Sequence, residues 1–124
     1  MSIRGYQDLI VWQQAIDLVE CVYQETRQWP QEERYGLIGQ VRRAAISVPA
    51  NIAEGQGRRG NREFLHHLSI ATGSLYEVQT YLTIAQRLHY LEANTGARMS
   101  AQAVEIAKLL HGLIRKLQSL SNSE

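Results

Sequence analysis

Along most of the chain, apolar residues recur at alternating spacings of three and four, the period of one face of an α-helix. Between residues 6 and 28 one such row is Leu9, Trp12, Ile16, Val19, Tyr23 and Thr26, with Val11, Ala15, Leu18 and Val22 beside it. Together they predict a helix with a wide apolar face. Trp29-Pro30 ends it, because proline biases its predecessor away from helical angles. Gln31, Glu32 and Glu33 then suit a new first turn, where acids meet the positive end of the helix dipole.

The second predicted helix spans 32–56, with Leu37, Val41, Ala45, Val48 and Ile52 as its buried row. Gly55 or Gly57 is the expected left-handed stop. Asn61 is the expected N-cap of a third helix over 61–90, with Phe64, Leu68, Ala71, Leu75, Val78, Leu82 and Ala85 facing inward. Asn94-Thr95-Gly96 reads as a loop and Ser100 as the cap of a fourth helix over 100–120. Its inward row is Ala103, Ile106, Leu110, Leu113, Leu117 and Leu120, and the tail Ser119–Glu124 is expected to fray. No segment reads as strand. Each helix of roughly 20 to 30 residues would be about 30 to 45 Å long, and short connections favour antiparallel neighbours. The expected fold is all-α, a single up-down-up-down four-helix bundle over residues 1–124.

Pro49 stands inside the second helix, where it removes one hydrogen bond and crowds the carbonyl of Ala45, at about 3 kcal/mol. Ser47 and Asn51 flank the defect and can offer side-chain hydrogen bonds. Small residues surround it, and Ala71, Gly73 and Ser74 make a second small patch on the third helix, so the two backbones are expected to approach closely. Ile46, Pro49 and Ala53 form an apolar row outside the first core face. Spare apolar surface of this kind points to a second copy of the chain, and a homo-oligomer is expected.

The formal charge is only +1, but eleven of the thirteen basic residues are arginine. Arginine offers a planar fork suited to phosphate or carboxylate, although a GC-rich genome would give the same bias. Between positions 34 and 62 there are six arginines and one acid, Glu54, a net of +5, which leaves −4 elsewhere. Arg42, Arg43, Arg58, Arg59 and Arg62 are the candidate phosphate ligands. Glycines around Arg58 and Arg59 would leave backbone N–H groups open at the start of the third helix. The competing reading pairs Arg58 with Glu54 at i,i+4 and leaves the others solvated or paired across subunits. Glu77, one turn beyond Gly73, is expected to pair with Arg42 or Arg43 and fix the helix register.

Catalytic and metal chemistry find little support. His66 and His67 are adjacent and so point about 100° apart on a helix, and no repeated Glu-x-x-His element answers Glu63 and His67. The G-x-G at 55–57 follows a helix, where a dinucleotide fingerprint would follow a strand. No catalytic residue, metal site or cofactor is expected. A lone Cys21, no apolar run of membrane-spanning length and no leader pattern predict a cytoplasmic protein with no membrane partner.

The segments "LIVWQQAIDLV" (9–19), "YGLIGQVRRAAISVPANIAEGQGR" (35–58) and "FLHHLSIATGSLYEVQTYL" (64–82) resemble bacterial four-helix-bundle proteins encoded in intervening sequences of large-subunit ribosomal RNA genes. The resemblance covers about residues 6–92, and its RRA, S-x-P-x-NIAEG and GS-x-x-E elements are the specific part. Arg42, Arg43, Ser47, Pro49, Asn51, Glu54, Gly55, Arg58, Gly73, Ser74 and Glu77 fall on that pattern; Arg59 and Arg62 do not. The resemblance implies a ring, with a pentamer the familiar form. It also implies a fold shared with Avd, a basic accessory protein of retroelements that partners a reverse transcriptase and binds nucleic acid. Two functions follow as expectations. One is an accessory protein whose arginines bind RNA or DNA. The other is a protein-interaction scaffold, recruiting a protein such as a reverse transcriptase, with its arginines used between subunits.

Overall fold

The structure, a computed structural model, describes residues 5–122. Four helices follow one another: α1 (Ile10–Thr26), α2 (Leu37–Gln56), α3 (Asn61–Arg87) and α4 (Ala93–Asn122), with single 3-10 turns at Tyr6–Asp8 and Gln31–Glu33. Each helix packs on its neighbours in sequence, and α4 closes back on α1, while the backbones of the diagonal pairs α1/α3 and α2/α4 stay apart. That is the square cross-section of an antiparallel four-helix bundle. The α2–α3 seam is the most extensive.

Leu18, Val22, Val41, Val48, Ile52, Leu68, Leu75, Val78, Ile106 and Leu110 are completely buried along the axis. Each large aliphatic side chain taken from water contributes roughly 1.5 to 3 kcal/mol, so this column is what holds the bundle together. In α1 the core row is Val11, Ala15, Leu18, Val22 and Thr26. Of the longer predicted row, Leu9 and Thr26 are buried, and Trp12, Ile16, Val19 and Tyr23 lie half-buried on the flank. The helix turns its smaller side chains inward because four backbones share the axis there. In α2, Ile38, Ala44 and Pro49 join the expected row while Leu37 is half-buried. α2 packs against both α1 and α3, so two rows are covered. Pro49 therefore belongs to this chain's own core.

The ends of the elements differ from the sequence reading. α1 spans Ile10–Thr26 where 6–28 was expected, with Tyr6–Asp8 a separate 3-10 turn. Residues 31–33 make a 3-10 turn, and α2 begins only at Leu37. Gly55 lies inside α2, and the left-handed residue is Gly60 (φ 91°), which caps α3 in place of Asn61. α3 ends at Arg87 with His89 in the left-handed region (φ 66°), and the Tyr90 N–H reaches back to the Ala85 carbonyl at 2.9 Å. α4 starts at Ala93, seven residues before Ser100, because buried Gly96 and Met99 extend its inward row backward. At its other end α4 runs through Ser119 to Asn122, and residues 123–124 of the expected frayed tail lie outside the described residues. Leu120, expected inward, is 48% exposed, because α1 is much shorter than α4 and the core thins toward that end.

Gly55 explains how closely α2 and α3 approach. A Cβ placed there would stand 2.7 Å from the His67 Cβ and 3.0 Å from Phe64 Cδ1. Ala71 and Ser74 are buried in the same seam, whereas Gly73 is exposed, with open space where a Cβ would project. The small patch on α3 is thus Ala71 and Ser74, and Gly73 faces outward.

Candidate nucleic-acid interface

The five candidate arginines do not form one site. Arg42 sits in the second turn of α2 and Arg58 just beyond its end, sixteen positions apart, or about 24 Å at 1.5 Å per residue. Arg42 is half-buried and tied to α1. Its Nε–H donates to Thr26 Oγ1 at 2.8 Å, an Nη2 hydrogen reaches the Tyr23 carbonyl at 3.4 Å, and its guanidinium lies 4.4 Å from the Tyr23 ring centroid. Thr26 is buried and passes its own proton to the Val22 carbonyl at 2.7 Å. Arg42 is thereby a strap between the first two helices.

Arg43 is exposed and borders a small cleft with Gln40, Ala44, Ser47, Ser74 and Glu77. Glu77 forms no ion pair with Arg42 or Arg43; it accepts a long hydrogen bond from Tyr81 at 3.5 Å. The expected register lock across the seam is instead a neutral chain of hydrogen bonds. Ser74 Oγ donates to Ser47 Oγ at 2.8 Å, and the Asn51 amide nitrogen donates to the Ser47 carbonyl at 2.9 Å and to Ser47 Oγ at 3.0 Å. The Asn51 oxygen then faces His67 Nδ1 at 3.0 Å. A carbonyl only accepts, so the Ser47 carbonyl fixes the amide orientation, and the Asn51 oxygen in turn requires a proton on His67 Nδ1. This chain glues α2 to α3 without a desolvated charge. It does not repair the Ala45 carbonyl stranded by Pro49, since the Asn51 bond goes to Ser47.

The far end of α2 is different. Arg58 Nη2 pairs with Glu54 Oε1 at 2.7 Å, both side chains about half exposed. That hydrogen bond, helped by the nearby His67 ring, holds the Glu54 carboxyl below its ordinary range, and the same contact raises Arg58. An exposed i,i+4 pair is screened by solvent and adds little to stability, so Arg58 can exchange Glu54 for another anion at little cost. Arg59 and Arg62 are exposed and meet no carboxylate among the described residues. Gly60 caps α3 without a side-chain hydrogen bond, which leaves first-turn N–H groups open beside them, although Glu63 in that turn competes for the same positive potential.

Among the described residues, no three His, Cys, Asp or Glu side chains cluster as a metal site, and no helix is long and apolar enough to cross a membrane. A family model described as 23S rRNA-intervening sequence protein matches residues 7–112. The chain belongs to that family. A solved structure with the same bundle is a protein with unknown function from the S23 ribosomal protein family of Bacteroides thetaiotaomicron. It is 22% identical, with a TM-score of 0.77, over 86% of this chain and 96% of that one. At that identity the likeness concerns the fold. No curated protein matches the sequence. Within this intervening-sequence family member, the RRA element places Arg42 on a structural strap and the GQGR element places Arg58 on a surface pair, a division that linear spacing conceals.

Sequence reasoning missed three groups: Arg27 and Arg34, which share a cleft with Arg42, and Tyr35, whose ring is 89% exposed. Arg27 lies outside the basic stretch, and Tyr35 lies outside the predicted buried row of the second helix.

Proposed function

We propose that this protein is a non-enzymatic, homo-oligomeric accessory factor that binds nucleic-acid phosphates through the turn between α2 and α3. Arg59 and Arg62 carry the reading, because they are exposed and uncompensated beside an open helix start. Arg58 joins them by releasing Glu54, and Arg43 extends the surface along α2. Arg42 contributes little here because its guanidinium is tied to α1. Base contacts are not part of this surface, so binding is indifferent to sequence and strongly dependent on salt.

Self-association is the second half of the proposal. Ile70, Gly73, Glu77, Thr80 and Ile84 follow one another at helical spacing on α3, and both isoleucines are 40% exposed. Ile46, 44% exposed, and Ala50 continue that outward side on α2. A pentameric ring would cover this surface and repeat the turn around an axis, so that weak sites add through avidity.

The test is fluorescence anisotropy with RNA and DNA duplexes across a salt series, beside light scattering for mass. Each phosphate engaged adds about −0.9 to the slope of log K against log salt. Arg59→Ala/Arg62→Ala should flatten that slope by about 2 without changing oligomer mass. A flat wild-type slope would discard the nucleic-acid reading. The other reading would then stand, a scaffold that recruits a protein such as a reverse transcriptase.

A further inference from the structure

The last turn of α1, the 3-10 turn and the start of α2 enclose a cleft of about 300 Å³ lined by Thr26, Arg27, Gln31, Arg34, Ile38 and Arg42. Three guanidinium groups border it and no carboxylate does. The acids nearby are occupied elsewhere. Glu25 accepts from the Trp29 indole at 3.1 Å, and Glu33 holds the Leu37 N–H and the Tyr90 hydroxyl.

Arg42 is set in place before any ligand arrives. Thr26, the Tyr23 carbonyl and the Tyr23 ring fix its plane, and the Nη1 edge makes no hydrogen bond. Arg27 and Arg34 make no ion pair among the described residues. Like charges gathered round a concave space need an anion, and a phosphoryl group brings up to two charges and three acceptor oxygens to three forks. A cleft of this size lies at the lower bound of ligand sites, enough for the phosphate and part of what it is attached to. Beside it stands an aromatic face: the Arg34 guanidinium carbon lies 5.6 Å from the centroid of Tyr35, whose ring is 89% exposed. An exposed ring next to a phosphate site is a stacking platform for a base.

We propose that this cleft binds the terminal phosphate of a nucleotide, with Arg27, Arg34 and Arg42 on the phosphate and the base stacked on Tyr35. The site lies at the opposite end of α2 from the Arg58–Arg62 turn and does not depend on it.

Titration calorimetry at low salt tests this with inorganic phosphate, adenosine 5′-monophosphate and adenosine. Phosphate and the monophosphate should bind saturably and adenosine should not. The monophosphate should bind about fivefold or more tighter than phosphate, and Tyr35→Ala should remove that margin. Arg27→Gln/Arg34→Gln, at two exposed positions where folding is not at stake, should weaken both ligands by about tenfold or more. Arg59→Ala/Arg62→Ala should leave them unchanged, which separates this site from the turn. A 5′-phosphorylated oligonucleotide binding more tightly than its 5′-hydroxyl twin, with the margin lost in the Arg27/Arg34 variant, assigns the phosphate to a polymer end. Equal binding of the two oligonucleotides assigns it to a free nucleotide. No saturable phosphate binding, adenosine binding as well as its monophosphate, or indifference to the Arg27/Arg34 change would overturn the proposal.

Discussion

Two glycines that look alike in sequence should respond oppositely to alanine. Gly55 and Gly73 are both inside helices, where alanine is intrinsically better by about 1 kcal/mol. At Gly73 there is open space around the new methyl, so that gain should be realised. At Gly55 the methyl would lie 2.7 Å from the His67 Cβ, 3.0 Å from Phe64 Cδ1 and 3.4 Å from the Phe64 carbonyl. The His67 Cβ is carried by the α3 backbone and cannot swing away, so α2 and α3 must part by about 1 Å to restore ordinary carbon–carbon contact. Overpacking costs about 1 to 3 kcal/mol, and parting the helices also stretches the Ser74–Ser47 and Asn51–His67 hydrogen bonds of 2.8 and 3.0 Å. The stretched bonds cost about 1 kcal/mol, which offsets the propensity gain, and a net loss of about 1 to 3 kcal/mol is expected for Gly55→Ala. For a chain of this size each kcal/mol shifts Tm by about 3 to 6 °C. Thermal and urea unfolding followed by circular dichroism, at one fixed protein concentration, should show Gly55→Ala below wild type and Gly73→Ala above it. Unchanged or raised stability in Gly55→Ala would refute the account of the seam. A loss at Gly73 that deepens with protein concentration would place a second copy against that face.

Three further outcomes follow from individual contacts. Thr26→Val keeps the shape but removes the acceptor for Arg42 Nε, and should cost about 1 to 3 kcal/mol; a double-mutant cycle with Arg42→Met should be clearly less than additive. The Tyr90 hydroxyl donates to Glu33 at 2.9 Å, which raises its pKa above the ordinary 10.0. The protonated form is the favoured one, so this contribution is complete below pH 10 and disappears as pH climbs through the folded value. Absorbance at the tyrosinate band should show a late step that Tyr90→Phe deletes. Glu54 behaves in the opposite sense: its pKa lies below the ordinary 4.5, so its contribution is present above that value and vanishes as acid protonates it. Carboxyl carbon NMR should find Glu54 titrating higher in Arg58→Ala than in wild type.

The bundle was legible because its evidence is redundant. Each helix repeats its 3-and-4 spacing several times, and one ambiguous position does not break the pattern. Boundaries rest on single residues and were read less well. Asn94-Thr95-Gly96 has the composition of a turn, yet Gly96 and Met99 continue the inward row of α4. In α1 two apolar rows competed, and only the shape of the assembled core decides which faces the axis. The polar chain in the α2–α3 seam was half visible. Pro49 drew attention to Ser47 and Asn51, but their partners Ser74 and His67 lie 27 and 16 positions away. One sequence offers no signal that joins them. The arginines were legible as a cluster and misleading as a site, because sequence distance counts residues while a helix converts them into length.

That conversion also changes how assembly relates to anion binding. In the sequence reading a copy of the chain covering the spare apolar side sets the arginines in a repeating array, so oligomerisation and phosphate contact stand or fall together. In the fold Pro49 is absorbed into the core, and the outward apolar side chains, Ile46 and Ile70, occupy the middle of α2 and the first half of α3. Arg27, Arg34 and Arg42 stand at one end of α2 and Arg58, Arg59 and Arg62 at the other. The seam between α2 and α3 is held by neutral hydrogen bonds whose strength does not fall with salt, so the spacing of the two ends persists under conditions that strip phosphates away. If the proposed anion sites hold, their binding should be lost at high salt with the bundle intact, and substitutions at either arginine end should leave the proposed self-association surface unchanged.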